Sequence, residues 1–282
     1  MILVTGAGGK TGRAVISALA ARGVTIRAFV RREVQAAEAM KLGAVDAPIG
    51  DLRDAAAVQA ALRGVRKVYH ICPNVHPDEI VIGQMIIGAA RVAGVEQFVL
   101  HSVLHPQTEK MPHHWHKLRV EETLLESGLP FTILQPTAYM QNILADWGMI
   151  SQRGVYTVPY PVETRLSLVD LEDVADAAAL VLTEPGHVDG TYELAGTPAM
   201  TQEEVAGVIS QSLGRPVRAE AISVEQWEAQ ARTSGLSDYA IETLKVMFQF
   251  YAHCGLVGNP GVLRWLLGRP AATLADFVQR QL

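Results

Sequence analysis

The amino-acid sequence predicts an α/β protein: a doubly wound parallel sheet joined to a smaller, mainly helical C-terminal lobe. Three observations carry this expectation. Apolar runs of strand length alternate with helix-period segments through the first half, the first run closes in a glycine-rich loop, and the rhythm changes beyond Pro136. The strands read as continuous apolar runs, which suits a sheet covered on both faces.

Ile2-Leu3-Val4-Thr5 is the first strand. Residues 12–22 place Val15 and Leu19 at helical spacing, and residues 24–30 return to strand composition, completing a βαβ unit. Further strands are predicted at residues 44–49, 65–71, 97–102 and 131–135, with helices at 54–63, 78–93 and 114–127 between them. After a helix near residues 139–150, the two prolines in residues 154–161 fit an edge strand or loop outside the main sheet. A strong helix follows over residues 170–182, then turns at Pro185-Gly186 and Asp189-Gly190 and a short strand at 191–194. Thr201 with Glu204, and Ser223 with Gln226, are capping boxes, and Gly214 ends the first of the helices they open. Residues 237–253 align Ala240, Ile241, Leu244, Met247, Phe248 and Tyr251 in one stripe that Gly255 stops.

Composition narrows the function classes. The chain has 282 residues, 49% of them hydrophobic, and a net charge of −5, so it can bury a sizeable core and lacks the basic footprint of a nucleic-acid binder. Two cysteines, Cys72 and Cys254, give no disulfide framework, point to a reducing compartment, and read as buried small hydrophobes. The most apolar stretch, residues 80–90, is broken by Gly83, Gln84 and Gly88 and is too short to span a membrane. With no basic segment at the N-terminus, the expectation is a soluble cytoplasmic protein.

The loop Thr5-Gly6-Ala7-Gly8-Gly9-Lys10-Thr11-Gly12 lies between the first strand and the first helix. A P-loop would need glycine where Val4 stands, and G-x-G-x-x-G fails at Thr11. Gly6, Gly9 and Gly12 fit G-x-x-G-x-x-G, a dinucleotide loop whose glycines admit a pyrophosphate to the helix N-terminus, with Lys10 and Thr11 beside it. A merely tight turn is the competing reading. The second strand ends in Arg31 and Arg32 where NAD enzymes usually place an acid, so NADP(H) is the expected cofactor, its 2′-phosphate meeting a guanidinium. A solvated pair opening a helix is the alternative. Asp51, followed by Leu52, would face the adenine or else cap the helix near Asp54, and Ile71, Cys72, Pro73 and Asn74 would wall the adenosine ribose.

Ser102 ends a strand at the ligand edge, and Lys117 lies in the next helix with His113 four residues earlier. Carbonyl reduction by hydride needs a donor on the oxygen, a proton source and a cation on the ribose, roles open to Ser102, His113 and Lys117. Each has a plainer alternative: a backbone hydrogen bond for Ser102, a loop position for His113, and an i,i+4 pair with Glu121 for Lys117. The run His113-His114-Trp115-His116 lacks the further ligands a metal site needs, so no metal is expected, and Ser102 sits in no Gly-x-Ser-x-Gly elbow.

The glycine loop, Lys117 with Glu121, the segment Ser127-Gly128-Leu129-Pro130-Phe131-Thr132-Ile133-Leu134-Gln135-Pro136, and Tyr139-Met140-Gln141-Asn142 together resemble the NmrA-like branch of the atypical short-chain dehydrogenases/reductases. Later blocks at residues 169–178, 190–196 and 268–277 are similar as well. The resemblance implies a Rossmann core binding NAD(P)(H), with Pro136 and Tyr139 added to the cofactor contacts, and a lobe over the nicotinamide. It divides the chain into a core of residues 1–136, with the helix of 170–183 packing back on it, and a substrate lobe of 137–169 and 184–282. Relatives of this kind are reductases of quinones, dyes or phenylpropanoids, or non-catalytic redox sensors. Two departures bear on that split: His113 stands where the family's Tyr-x-x-x-Lys pair has tyrosine, and Gln135 replaces an arginine. The function expected is NADPH-dependent reduction of a small apolar carbonyl or quinone-like substrate, with a sensor acting on a regulatory protein as the alternative. A homodimer is left open.

Overall fold

The computed structural model describes residues 1–73 and 75–282; Asn74, expected on the ribose wall, lies outside the described residues. The chain divides into two compact units, one of residues 1–107, 114–135 and 174–192, the other of 108–113, 136–173 and 193–282.

The first unit is built on β1 (Ile2–Val4), β2 (Ile26–Ala28), β3 (Lys67–His70), β4 (Gln97–His101) and β5 (Phe131–Pro136), with α1 (Lys10–Ala21), α2 (Glu33–Lys41), α3 (Ala55–Ala61), α4 (Glu79–Val92) and α5 (Pro112–Glu126) between them. Next come β6 (Ala138–Tyr139), α6 (Trp147–Arg153), β7 (Val155–Val158), β8 (Leu168–Val169), α7 (Leu171–Thr183) and β9 (Gly190–Leu194). The strand order of the main sheet is β2-β1-β3-β4-β5-β9, and the pairings from β2 through β5 are parallel. β1 and β4 are buried along their whole length, as continuous apolar runs require. One core joins Leu3, Val68, Phe98 and Ile133 of the strands to Val58 of α3, Ile82 and Ile86 of α4, and Val120 and Leu124 of α5. α1 buries Val15, Ile16 and Leu19. The end of α7 is tied to this sheet by two donors, half-buried Lys67 Nζ to the carbonyl of Leu182 (2.6 Å) and buried Gln97 Nε2 to that of Val181 (2.9 Å).

Three expectations change. Residues 44–49 form no strand but touch the sheet edge through two isolated bridges, Arg27 with Asp46 and Val30 with Ile49. Pro48 has no amide to donate, so a ladder cannot run through it. The helix expected near 139–150 is a 3₁₀ segment, Met140–Asp146, leading into α6, which Gly154 ends in the left-handed region at φ +67. Cys254 is exposed, whereas Cys72 is buried; the first lies at the polar end of a helix whose stripe turns the other way.

In the second unit β7 pairs in parallel with β10 (Arg218–Ala221), outside the main sheet as the prolines suggest. α8 (Gln202–Leu213) and α9 (Val224–Thr233) open with the two capping boxes, and α10 (Asp238–Cys254) buries Ile241, Phe248 and Tyr251. Trp227, half-buried, meets Phe248 edge-on with ring centres 4.6 Å apart, while Phe248 and Tyr251 belong to the core. α11 (Pro260–Leu267) and α12 (Leu274–Gln279) complete the chain. Two buried acids hold this end: Asp173 pairs with Arg269 at 2.7 Å, and Asp170 binds the guanidinium of Arg280 while accepting from Gln141 Nε2. Among the described residues no helix is long and apolar enough to cross a membrane.

Candidate functional site

β1 lies between β2 and β3, so the chain reverses its direction of travel across the sheet there. In open parallel sheets that reversal leaves a crevice at the carboxyl ends of the strands. The parallel register brings to this one edge the glycine loop after β1, the arginines after β2, Ile71 to Pro73 after β3, and Ser102 after β4.

Gly6 turns the loop at φ +60, and Gly9 N donates to its carbonyl at 3.0 Å. A Cβ on Gly6 would stand 2.9 Å from the carbonyl oxygen of Ile71, and one on Gly12 2.5 Å from that of Gly6, so both positions are demanded by the chain's own packing. Gly9 differs. A Cβ there would meet only the Gly6 carbonyl, at 3.4 Å, and the residue is exposed. It is also the N-cap of α1, with no side-chain cap and no acid in the first turn. The first-turn amides of α1 therefore face the crevice with the helix dipole behind them, an arrangement that attracts an anion. Lys10 is exposed and Thr11 half-buried beside them.

Arg31 and Arg32 are exposed, and among the described residues neither side chain has an ion-pair partner. Arg32 is the N-cap of α2, so the helix of the alternative reading exists and leaves both guanidinium groups available. Asp51 does not cap α3: Asp54 does, accepting from the amides of Ala56 and Ala57. Asp51 takes a two-pronged contact from Arg53, at 3.0 and 2.8 Å, which holds its carboxyl well below the usual carboxylate range. Leu52 and Cys72 are buried, while Ile71 and Pro73 are half-buried. Burial pushes the Cys72 thiol up, so it is no nucleophile.

A polar cluster lies under the strand ends. Lys117, 16% exposed, does not pair with Glu121; its Nζ meets Glu79 Oε1 at 2.5 Å, and the Glu79 side chain is 2% exposed. Burial lowers the ammonium's pKa, but Glu79, with smaller contributions from Cys72 and Glu121, outweighs it and the net shift is upward. Glu121 instead accepts from the Ser102 hydroxyl and from Gln135 Nε2, at 2.9 and 3.1 Å to its two oxygens. The single Ser102 proton thus points to Glu121, and the hydroxyl presents lone pairs elsewhere. Burial raises the Glu121 pKa against those hydrogen bonds. Thr5 Oγ1 lies 2.8 Å from His70 Nδ1 and accepts from the amide of Ile71, tying the loops after β1 and β3 together. Tyr69 Oη lies 2.7 Å from His101 Nδ1. Burial pulls both histidines down to about 3, so they are neutral at ordinary pH. A cavity of about 10 Å³, room for a water molecule, is lined by His70, His101, Glu79 and Lys117.

α5 begins at Pro112, so His113 is helical, buried, and one turn before Lys117. His114 Nδ1 lies 3.2 Å from the carbonyl of His105, which accounts for one member of the histidine run. Pro136 closes β5 and Tyr139 lies in β6, both in the second unit. Sequence reasoning passed over Glu79, His70 and His101. The two histidines could have been found as polar residues ending apolar strands; Glu79 carries no local signal, because its partner is 38 residues away.

Residues 1–276 match the NmrA-like family. The chain is 32% identical over 281 residues to an NAD(P)H azoreductase of Xenophilus azovorans, covering 99% of this chain and 97% of that one. It is 30% identical to a solved NADPH-dependent quinone oxidoreductase of Escherichia coli complexed with NADPH, with a TM-score of 0.87 over 100% of this chain and 99% of that one. A triphenylmethane reductase of Citrobacter sp. complexed with NADP(H) is 25% identical, with a TM-score of 0.87 over 100% of both chains.

Proposed function

The chain belongs to the NmrA-like family, and from that premise we propose that it is an NADPH-dependent reductase of quinone-like acceptors. The observation that carries the reading is the uncapped N-terminus of α1 behind the open Gly9 position, flanked at the sheet's reversal point by Arg31 and Arg32, both exposed and without an ion pair among the described residues. Relatives named for azo, quinone and triphenylmethane reduction support the acceptor class.

The residues fit NADP(H), which when bound supplies a hydride. Gly6, Gly9 and Gly12 with the amides of Lys10 and Thr11 would hold the pyrophosphate, and Arg31 and Arg32 the 2′-phosphate. Asp51 and Leu52 would meet the adenine, and Ile71, Cys72 and Pro73 its ribose. Pro136 and Tyr139 would line the nicotinamide end. Residues 1–136, with the helix of 170–183, form the cofactor core in this proposal, and 137–169 with 184–282 select the substrate.

Lys117 acts as a cation. With burial outweighed by Glu79 and the lesser charges around it, it stays an ammonium, orients the ribose and offsets negative charge developing on the acceptor oxygen. Ser102 and Glu121 hold the floor of the site. His113, one turn before Lys117, is assigned to proton delivery in place of the family's tyrosine.

The test is titration with NADPH and NADH by fluorescence, then turnover with quinones, enones and aldehydes, for the wild type and Lys117→Met. Saturable NADPH oxidation lost in Lys117→Met is expected. Tight NADPH binding without turnover across the panel would remove the reductase reading in favour of the sensor.

A further inference from the structure

We propose that Glu79 is the positioning residue for Lys117: from the first turn of α4 it fixes the ammonium beneath the strand ends and keeps it charged. This deepens the reading of Lys117 given above and rests on it. Lys117 comes from α5 and Glu79 from α4, and their contact of 2.5 Å joins two helices across 38 residues of sequence. The Glu79 side chain is 2% exposed, yet Glu79 Oε2 has no hydrogen-bond partner among the described residues. What the carboxylate does make is the ion pair. Its charge sits at the N-terminus of a 14-residue helix, where the dipole favours an anion, so the α4 terminus, Glu79 and Lys117 form a plus-minus-plus series pointing at the ammonium.

Among the described residues, the polar groups facing Lys117 come from three further elements and its own helix. From β3 and the loop after it come His70 and Cys72, from β4 His101 and Ser102, and from its own helix His114 and Glu121. Burial keeps the histidines and the thiol neutral at ordinary pH. Glu121 is occupied by Ser102 and Gln135. Glu79 is the largest of the charges that oppose burial at Lys117 and the one in direct contact with it, and burial alone would drive the ammonium toward its neutral form.

The test follows Lys117 itself. In the free protein, NMR titration of the side-chain nitrogen should place Lys117 above the ordinary lysine value of 10.5. In Glu79→Gln it should fall by roughly 1–3 pH units, and NADPH affinity should acquire a matching alkaline loss absent from the wild type. Glu79→Asp keeps the charge on a shorter arm, so it should raise the NADPH KM several-fold without an alkaline limb; this variant and the wild-type titration decide the matter if Glu79→Gln does not fold. A wild-type Lys117 at or below 10.5, or a Glu79→Gln profile parallel to the wild type, overturns the inference. Failure of the parent reading looks different: Lys117→Met would then bind NADPH with unchanged affinity while the two titrations still differed.

Discussion

Alanine at Gly9 should spare the fold and weaken cofactor binding, whereas alanine at Gly12 should damage the fold. At Gly9 the backbone angles, φ −88 and ψ 172, suit any residue, and the added methyl meets one oxygen at 3.4 Å. Losing glycine as N-cap costs up to about 1 kcal/mol, and the stiffer unfolded chain returns about 0.4–1 kcal/mol, so stability should change by less than about 1 kcal/mol. At Gly12 the methyl would lie 2.5 Å from the Gly6 carbonyl oxygen and 2.6 Å from the Ala7 Cα, both backbone atoms that cannot swing away. Overpacking of that kind costs about 1–3 kcal/mol, against about 1 kcal/mol of helix propensity gained. A net loss of up to about 2 kcal/mol should lower the melting temperature by up to roughly 8 °C. Thermal unfolding and NADPH fluorescence titration, run on both variants, separate the effects. Gly9→Ala should lose at least about tenfold in affinity, equivalent to about 1.4 kcal/mol. If Gly9→Ala binds NADPH like the wild type, the pyrophosphate does not approach α1 and the reasoning fails.

Lys117→Met leaves Glu79 buried without its partner and should cost about 3–5 kcal/mol at neutral pH; the Glu79→Gln, Lys117→Met double variant should recover part of that in urea unfolding, and strict additivity would refute the coupling. His70 and His101, depressed to about 3 in the fold, bind protons on unfolding below their unfolded value near 6.5. Their contribution is complete above pH 6.5 and is lost as pH falls toward 3, each by up to about 1.4 kcal/mol per unit. Urea midpoints should therefore drop steeply between pH 6.5 and 5, and a flat profile would contradict their neutral burial. Replacing Arg31 and Arg32 together by alanine should weaken NADPH at least about tenfold with little change for NADH, as measured by parallel titrations; equal losses for both cofactors would remove the arginines from the 2′-phosphate.

Much of the fold was legible because periodicity reports burial. The apolar runs at residues 65–71, 97–102 and 131–135 became β3, β4 and β5, and the capping boxes at Thr201 and Ser223 appear as read. Local chemistry is written in adjacent residues. The stretch at 44–49 misled because its composition suits a strand while Pro48 denies it a ladder. The glycine loop was legible for the same local reason, and its structure sharpens the reading: Gly6 and Gly12 serve the chain, and Gly9 is left open. The polar floor was not legible. Lys117 has Glu121 one helical turn away, the partner sequence suggests, but Gln135 and Ser102 hold that carboxylate and Glu79 reaches in from another helix. Pairing across 38 residues is set by how α4 and α5 pack, which no local pattern records.

The central claim is that hydride passes from NADPH, bound at the strand ends, to a quinone-like acceptor. Single-turnover oxidation of NADPH by a quinone, with deuterium placed in turn at each of the two C4 positions, tests it most directly. Slowing with one deuterated form and not the other is the predicted result. Quinone-dependent oxidation that is indifferent to both, or none at all above the uncatalysed rate, would contradict it.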